Sequence, residues 1–185
     1  MTAYIEITQF DTVKYELDKA TGFIRVDRPQ STSSSPPTLY GFIPRTLCGE
    51  RTAEIASLPK GDMDPLDICI LSERPITRSD IIMEVIIVGG LLMVDGGEAD
   101  DKIIAVLKDD AIWGKCKDIS EIPKNLIERL QHYFLTYKMK LHDGVDKVEM
   151  ASTAVVEIRK CYDAAHAKKV LLASMEDYDA YYPRD

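Results

Sequence analysis

Short apolar runs separated by turn residues make up most of the N-terminal part of the chain, a pattern typical of β-strands. Asp18 to Gly22 has the composition of a hairpin turn, and Gly22 is suited to a positive φ. The long apolar run around Gly89 and Gly90 predicts two strand segments with the glycines between them. The pattern predicts strands over residues 4–7, 13–17, 23–27, 68–71, 81–94 and 103–107.

The C-terminal part changes to a helical period, with a strand between two helices. The first helix has an apolar stripe made of Leu126, Ile127, Leu130, Tyr133, Phe134 and Tyr137. A strand is predicted over residues 154–162, and Asp163 is placed to cap the last helix. One face of that helix consists of Ala167, Val170, Leu171, Ser174, Met175 and Tyr178. Residues 181–185 are expected to fray.

This order of elements predicts an α+β fold, in which a small antiparallel barrel or sheet carries helices on its outside. Residues 1–185 contain no repeat, linker or low-complexity run, so we expect a single domain. Residues 31–37 are small and polar and predict a loop. Residues 49–60 carry charges and a proline and predict a surface insertion.

Composition narrows the classes of function. The 185 residues include 31 acidic and 23 basic side chains, a net charge of −8, which disfavours a nucleic-acid binder. None of the four cysteines belongs to a C-x-x-C pair, a usage typical of a reduced compartment. The first residues lack the regions of a signal peptide, and the longest uncharged apolar run, residues 85–94, is too short for a bilayer. We therefore expect a cytoplasmic protein without a membrane segment.

The strongest chemical signal lies in residues 61–67. Asp62, Asp64 and Asp67 come directly before an apolar run, and Pro65 keeps this segment out of a helix interior or a central strand. Like charges this close raise one another's pKa unless a cation is bound, and carboxylate oxygens suit Mg²⁺ or Mn²⁺. The EF-hand pattern fails, because Asp67 replaces its glycine. A solvated surface turn is the alternative interpretation.

A second acidic turn, residues 95–102, also lies between two predicted strands. Two such turns favour a metal site more than either alone, and a solvated loop is the alternative for the second. In the N-terminal hairpin, Lys14 and Glu16 share one face of a strand. An ion pair on a solvated face is the alternative to a binding role for these two residues.

Together these segments resemble the family I soluble inorganic pyrophosphatases, the Mg²⁺-dependent type. Residues 61–67 match the family's D-x-D-P-x-D signature, and the resemblance covers nearly the whole chain. The other matching segments are residues 13–19, 26–28, 40–48, 95–102 and 134–138. The resemblance implies an OB-type five-stranded antiparallel β-barrel with flanking C-terminal helices. It also implies hydrolysis of pyrophosphate to two phosphates by a metal-activated water, with an aspartate as general base.

The same resemblance implies a role for individual residues. Asp62, Asp67 and Asp100 would hold the ion nearest the attacking water, and Asp67 would bridge to a second ion. Asp95 and Asp100 would take a further Mg²⁺ that arrives with the substrate, and Asp64 would be the general base. The implied phosphate-binding residues are Lys14, Arg28, Tyr40, Lys102, Tyr137 and Lys138, and the supplementary carboxylates are Glu6 and Glu16.

The implied cofactor is Mg²⁺, as several ions, with Mn²⁺ and Zn²⁺ as candidate substitutes. The implied partners are pyrophosphate, phosphate and further copies of the chain, in a hexamer or a dimer. The residue types suit this chemistry, because bound metal ions and basic side chains offset the repulsion between carboxylates and a polyanion. Arg28 can grip a phosphate with two parallel hydrogen bonds, which a lysine cannot.

The chain departs from the family at three places. Pro36 stands where relatives often have a tyrosine, so one site hydroxyl is missing. Residues 49–60 lengthen the loop before the signature, and we expect an altered rim or subunit contact there. Glu6 lies close to the first residue, whereas many relatives have further residues upstream.

Three other functions fit fewer of these features. A D-x-D transferase acting on nucleotide-sugar diphosphates would need a βαβ pattern or a Gly-rich phosphate loop, and the sequence has neither. An OB-fold module for single-stranded nucleic acid would need a basic groove with stacking aromatics, which the net charge disfavours. A degenerate, inactive relative is the third alternative, and the intact acidic and basic residues argue against it.

Overall fold

The computed structural model describes residues 1–138, 140–141, 150–151 and 156–183. In chain order, its strands are β1 (Thr2–Ile7), β2 (Val13–Leu17), β3 (Ile24–Pro29), β4 (Leu39–Phe42), β5 (Asp67–Leu71), β6 (Ile81–Asp95), β7 (Glu98–Ala99), β8 (Lys102–Leu107), β9 (Lys140–Leu141), β10 (Met150–Ala151) and β11 (Val156–Asp163). Its α-helices are α1 (Glu50–Ala56), α2 (Lys124–Thr136) and α3 (Ala164–Tyr181), and 3₁₀ turns cover Trp113–Lys115 and Ile119–Glu121.

Five strands form a closed ring, because β1 pairs with both β4 and β6. The order around the ring is β1, β4, β5, β8, β6 and back to β1. All neighbours are antiparallel except β5 and β8, which run parallel, so the prediction of an antiparallel arrangement is wrong at this pair. Parallel pairing requires a long crossover, and here the connection from β5 to β8 includes the whole of β6.

Strand β6 is one strand of 15 residues, and the two segments predicted within it are continuous. Its register against β8 shifts between Ile87 and Gly89, which marks a bulge and not a turn. A Cβ on Gly90 would lie 2.4 Å from Cε2 of Tyr162, and a Cβ on Gly89 would lie 2.5 Å from the Tyr162 carbonyl oxygen. The glycines therefore permit close approach of β11, which extends the sheet beyond the ring.

The buried side chains divide between the two faces of β8. Ile103 and Ala105 belong to one cluster, and Ile104 and Val106 belong to another, as the alternation of a strand requires. Helix α3 adds Ala167, Val170 and Leu171 to the first cluster, and helix α2 adds Ile127, Leu130, Tyr133 and Phe134 to the second. The apolar stripes predicted for the two helices thus cover the sheet in large part. The prediction is wrong at Met175, which is exposed, and the buried positions near it are Ala173, Ser174 and Asp177.

Residues 49–60 contain a packed helix, which corrects the prediction of a plain surface insertion. Helix α1 buries Thr52, Ala53 and Ala56, and its two buried alanines pack with Ala99. Ala56 lies three residues after Ala53 and four after Thr52, so the three buried positions share one face of the helix. The sequence pattern hid this face, because its residues are small and stand among charged ones.

Helix α3 begins as predicted, but its C-terminal end extends further than predicted. Asp163 caps α3 as predicted, accepting a hydrogen bond from the backbone N–H of His166 at 2.8 Å. Tyr181 is helical and the N–H of Tyr182 still bonds to the carbonyl of Tyr178 at 2.8 Å, so fraying does not begin there. Residues 184–185, and residues 154–155 of the strand predicted before α3, lie outside the described residues. No helix in the described ranges has the length and apolar character needed to cross a bilayer.

Candidate active site

A cavity of ≈ 950 Å³ collects polar side chains from distant parts of the chain. Every residue that the sequence assigned to the site lines this cavity: Glu6, Lys14, Glu16, Arg28, Tyr40, Asp62, Asp64, Asp67, Asp95, Asp100, Lys102, Tyr137 and Lys138. The convergence is an observation about position, and the role of each residue stays a prediction. Pro36 is buried and is not part of the cavity lining, so it supplies nothing in place of a tyrosine hydroxyl.

The two acidic turns meet because β5 and β8 are neighbours. Their parallel register places Asp67, the first residue of β5, opposite Lys102, the first residue of β8. Gly61 also forms an isolated bridge with Ala99, which joins the start of the first turn to the end of the second. The sheet therefore brings together two segments that lie far apart in sequence.

Lys102 lies at the centre of this meeting point. Its ammonium group is 2.5 Å from Oδ2 of Asp67 and also pairs with Asp100, and its side chain is 2% exposed. Burial alone would lower the pKa of Lys102, but the charges of Asp100 and Asp67 outweigh it and hold that pKa well above its usual range. The ring of Phe134 lies beneath the ammonium, 5.7 Å from ring centroid to Nζ, and keeps it in a dry environment.

The first acidic turn has an excess of buried negative charge. Burial, followed by repulsion from Asp100, raises the pKa of Asp62 to about 8. Burial also raises the pKa of Asp67, although Lys102 opposes the shift. Such carboxylates have a strong preference for a proton or a cation, and oxygen donors of this kind fit Mg²⁺.

The donor types fit a divalent ion, but the carboxylates are not closed around one point. Among the described residues, no three His, Cys, Asp or Glu side chains converge closely enough to hold a metal ion. The Lys102 ammonium lies between Asp67 and Asp100 and provides the positive charge there. The ammonium contacts one oxygen of each carboxylate, Oδ2 of Asp67 and Oδ1 of Asp100, so an ion bound by both would use their other oxygens or displace the ammonium.

Asp64 stands apart from this buried network. Met63 has a φ of 62°, and this left-handed residue turns the chain so that the Asp64 N–H reaches Oδ1 of Asp62 at 2.9 Å. The Asp64 side chain is 65% exposed and contacts the Lys19 ammonium at 2.5 Å. Asp64 therefore faces the open part of the cavity, where a water molecule can approach it.

Aromatic side chains form another wall. The Tyr40 hydroxyl donates to Oδ2 of Asp67 at 2.5 Å, and burial, with the charges of Asp67 and Asp100, raises the pKa of Tyr40 well above its usual value. Tyr137 follows the last residue of α2, and the Lys138 ammonium lies 5.4 Å from its ring centroid. Lys138 also pairs with Asp95 at the second acidic turn.

The hairpin of β2 and β3 supplies further cations. Lys14 pairs with Arg28 in the strand register and lies 2.9 Å from Asp27 and 3.2 Å from Glu16. The ion pair between Lys14 and Glu16 considered from the sequence exists, but both residues also line the cavity. Burial raises the pKa of the neighbouring Glu6 to about 7, although the Leu17 N–H donates to it at 2.7 Å.

Sequence reasoning assigned no role to several polar residues that the structure places at or near the site. Lys19 contacts Asp64, and Asp27 contacts both Lys14 and Arg28. Asp101 is buried beside the second turn, and within the described part of the chain its carboxylate oxygens have no hydrogen-bond partner. All three residues lie in segments that matched the family pattern, so that pattern was the signal available to find them.

Comparisons with known proteins agree with this geometry. A sequence profile of the family described as inorganic pyrophosphatase matches residues 3–179. The inorganic pyrophosphatase of Chlamydia muridarum is 45% identical over 184 residues, covering 96% of this chain and 86% of that protein. The soluble inorganic pyrophosphatase of Oryza sativa subsp. japonica is 38% identical over 177 residues, covering 96% of this chain and 72% of that protein.

Solved structures agree as well. The inorganic pyrophosphatase from Thermus thermophilus superposes with a TM-score of 0.78 at 30% identity, covering 97% of this chain and 91% of that one. The enzyme from Helicobacter pylori gives a TM-score of 0.77 at 29% identity, covering 97% and 93% of the two chains. The match of profile, sequence and fold over nearly the full length shows that this chain belongs to the inorganic pyrophosphatase family, a family of hydrolases.

Proposed function

We propose that this protein hydrolyses inorganic pyrophosphate to two phosphates and that the reaction depends on Mg²⁺. The observation that carries the proposal is the meeting of the two acidic turns at Lys102, inside a cavity that cations from other segments also line. A site with buried carboxylates on one wall and lysine and arginine on another suits a substrate that brings or meets metal ions. Membership of the family supports the substrate.

Binding of the substrate is assigned to the cations and hydroxyls of the cavity. Lys14, Arg28 and Lys138 would bind phosphate oxygens, together with the hydroxyl groups of Tyr40 and Tyr137. Each of these cations is paired with a carboxylate in the free protein, so the substrate would compete for existing ion pairs. Pairs of this kind hold the cations in position before the substrate arrives.

The metal ligands are assigned to the half-buried carboxylates Asp62 and Asp67 and the buried carboxylate Asp100, with Asp95 as a ligand for a further ion. Mg²⁺ bound by these groups would lower the pKa of a water molecule and neutralise charge on the phosphate oxygens. Mn²⁺ and Zn²⁺ are candidate substitutes. Glu6 and Glu16 would adjust the charge around the ligands.

Proton transfer is assigned to Asp64. Its carboxylate takes a proton from the attacking water as the new P–O bond forms and the bridging P–O bond breaks, and the second phosphate departs. Lys102 and Arg28 would stabilise the charge on the transferred group. The exposure of Asp64, next to a half-buried Asp62 with a raised pKa, supports this division between base and ligand.

The remaining assignments concern the whole chain. We propose that residues 1–185 form one domain and that the ring of five strands is the OB-type barrel of the family, with β5 and β8 as its parallel pair. We also propose a cytoplasmic location, on cysteine usage, and a homo-oligomer, either a dimer or a hexamer.

The test is phosphate release from pyrophosphate by the purified protein, measured with Mg²⁺ and again after removal of metal by a chelator. We expect release with Mg²⁺, loss of release on chelation and recovery when Mg²⁺ is restored. A protein that releases no phosphate in the presence of Mg²⁺ would contradict the proposed function.

A further inference from the structure

Helix α1 begins without a capping side chain of its own, and a residue of helix α3 caps it instead. Asp177 accepts hydrogen bonds from the backbone N–H groups of Gly49, Arg51 and Thr52 at 3.2, 3.1 and 3.0 Å. The Thr52 hydroxyl donates to the same carboxylate at 3.0 Å, and a guanidinium nitrogen of Arg51 lies at 3.1 Å. The Asp177 side chain is 4% exposed, so these charge-assisted bonds form away from water. We call this set of contacts the Asp177 clamp.

A single residue, Cys48, connects the clamp to the first acidic turn. Cys48 directly precedes Gly49, and its N–H donates to the carbonyl of Asp64 at 2.8 Å. Its carbonyl accepts the N–H of Met63 at 3.1 Å, so both polar groups of the Cys48 peptide units are bonded to the turn. A Cβ on Gly61 would lie 1.9 Å from the Cys48 carbonyl oxygen, which shows how tightly these backbones pack.

The other end of the same insertion reaches the second acidic turn. The Lys60 carbonyl accepts the N–H of Ala99 at 3.0 Å, and the N–H of Asp62 donates to the Ala99 carbonyl at 3.3 Å. Ala99 is next to Asp100, one of the carboxylates that pair with Lys102. The insertion thus contacts the backbone of both turns, while its first helical turn is held by α3.

We propose that Asp177 is a positioning residue for the metal site. By fixing the start of α1, it holds Cys48 in place, and Cys48 in turn holds the backbone of Met63 and Asp64. A metal site requires its ligands to be held within about 0.5 Å of the binding geometry, and a rigid backbone of this kind provides that. The inference rests on the proposed function, since the turn is the proposed carrier of metal ligands and general base.

Packing alone does not explain an acidic residue at this position. Helix α3 is already held to the sheet by Ala167, Val170 and Leu171. Burial of a carboxylate carries a desolvation cost, which an apolar residue would avoid. What the carboxylate adds is directional bonding to three backbone N–H groups and two side-chain donors, which sets the orientation of α1 and of the residue before it.

The experiment compares Asp177→Asn and Thr52→Val with wild type. Asp177→Asn keeps the shape but replaces an acceptor with a donor, and Thr52→Val removes one bond of the clamp. We expect the Mg²⁺ concentration for half-maximal phosphate release to rise by about 10-fold or more in Asp177→Asn, as for other residues that orient metal ligands, and by less in Thr52→Val. Turnover at saturating Mg²⁺ should fall by a smaller factor, because the ions restore the turn once bound.

A second readout needs no activity. Hydrogen exchange of the Cys48 and Met63 amides, measured in metal-free protein, should become faster in both variants than in wild type. Thr52→Ser, which keeps the hydroxyl, should behave as wild type does in both measurements. If wild type lacked pyrophosphatase activity, the proposed function would fail, while the exchange rates would still report on the clamp.

Two control variants separate positioning from general stability. Val170→Ala weakens the packing of α3 without touching the clamp, and Glu176→Gln changes a neighbour whose only approach to Arg51 in the described contacts is 3.6 Å. Both should leave the Mg²⁺ requirement and the two amides unchanged. The proposal is wrong if Asp177→Asn alters thermal stability alone, as Val170→Ala does, with the Mg²⁺ requirement and the two exchange rates equal to those of wild type.

Discussion

At the residue scale, the site is built from side chains of the same type in different surroundings. Asp62 and Asp67 are half-buried and have raised pKa values, whereas Asp64, between them in sequence, is exposed. The difference follows from the left-handed φ of Met63, which turns Asp64 out of the buried network. Three aspartates of one turn can therefore divide ligand and proton-transfer roles.

This division predicts the effect of Asp64→Asn. The variant should lose about 10²-fold or more in turnover, the typical range for removal of a general base. Its affinity for Mg²⁺, measured by titration calorimetry, should stay close to that of wild type, because Asp64 lies outside the pairs around Lys102. If Asp64→Asn abolished Mg²⁺ binding and Asp62→Asn did not, the two roles would have to be exchanged.

The hydrogen bonds to Asp177 predict how the free energy of unfolding changes with pH. Burial alone would raise the pKa of Asp177, but hydrogen bonds from Thr52 and Arg51 outweigh it and hold the pKa below its usual value. The unfolded chain therefore takes up the proton first on acidification, with a pKa of about 3.9. The stability that the Asp177 carboxylate contributes is fully present above the pKa of the unfolded chain. It is lost as the pH falls through the lower pKa of the folded state.

The measurement is the free energy of unfolding by urea, determined at several pH values from neutral down to strongly acidic. Asp177→Asn should be less stable than wild type at neutral pH, and the difference should shrink as the pH falls below about 4. Asp163→Asn, which changes an aspartate at the other end of α3, serves as the matched control. A difference between wild type and Asp177→Asn that stays constant with pH would contradict the assignment.

At the scale of elements, close approach between strands decides where glycine is needed. Gly90 lies beneath the Tyr162 ring, whereas Gly22 lies in a turn where a Cβ would meet no atom within 4 Å. Both are glycines in the sequence, but only Gly90 is required by packing. The position of β11 on β6 therefore depends on a residue that sequence patterns assign to a break.

Gly90→Ala should lower the free energy of unfolding by about 1–3 kcal/mol or more, because the methyl group overpacks the contact with Tyr162. Thermal or urea unfolding would measure the loss. Adding Tyr162→Leu should recover part of it, since the smaller side chain leaves room for the methyl group. Gly22→Ala is the comparison for backbone strain alone, because its φ is +76° and its surroundings are open. A Gly90→Ala protein as stable as wild type would show that β11 can move away at no cost.

At the scale of the whole molecule, the proposed assembly has a direct test. A chain of 20.8 kDa should give a particle of about two or six times that mass in light scattering of the purified protein. Exposed apolar side chains such as Ile82 and Leu172 are available for contacts between copies. A mass equal to that of one chain at micromolar concentration would contradict the proposed homo-oligomer.

The parallel pairing of β5 and β8 is the feature of the whole molecule on which the site depends. It sets Asp67 beside Lys102 and so brings the two acidic turns together. Strand patterns located β5 and β8 correctly within one residue, and both are near-continuous apolar runs of the kind that parallel strands show. Such a run does not identify the partner strand, because other buried segments share it. The direction of pairing therefore could not be predicted from the local sequence, and the predicted antiparallel arrangement is wrong at this pair.

Periodicity, a local property of the chain, predicted most of the strands, helices α2 and α3 and most of their buried positions. The family resemblance, carried by the D-x-D-P-x-D pattern and its flanking segments, supplied the residues that line the cavity. The sequence pattern missed α1, whose buried face consists of small residues among charged ones. It also missed Asp177, whose partners are 125 to 128 residues away in sequence. Only the tertiary structure decided which aspartate is buried, which lysine lies between two carboxylates and which helix holds the acidic turn. These depend on contacts between distant segments, and no local pattern of side chains encodes such contacts.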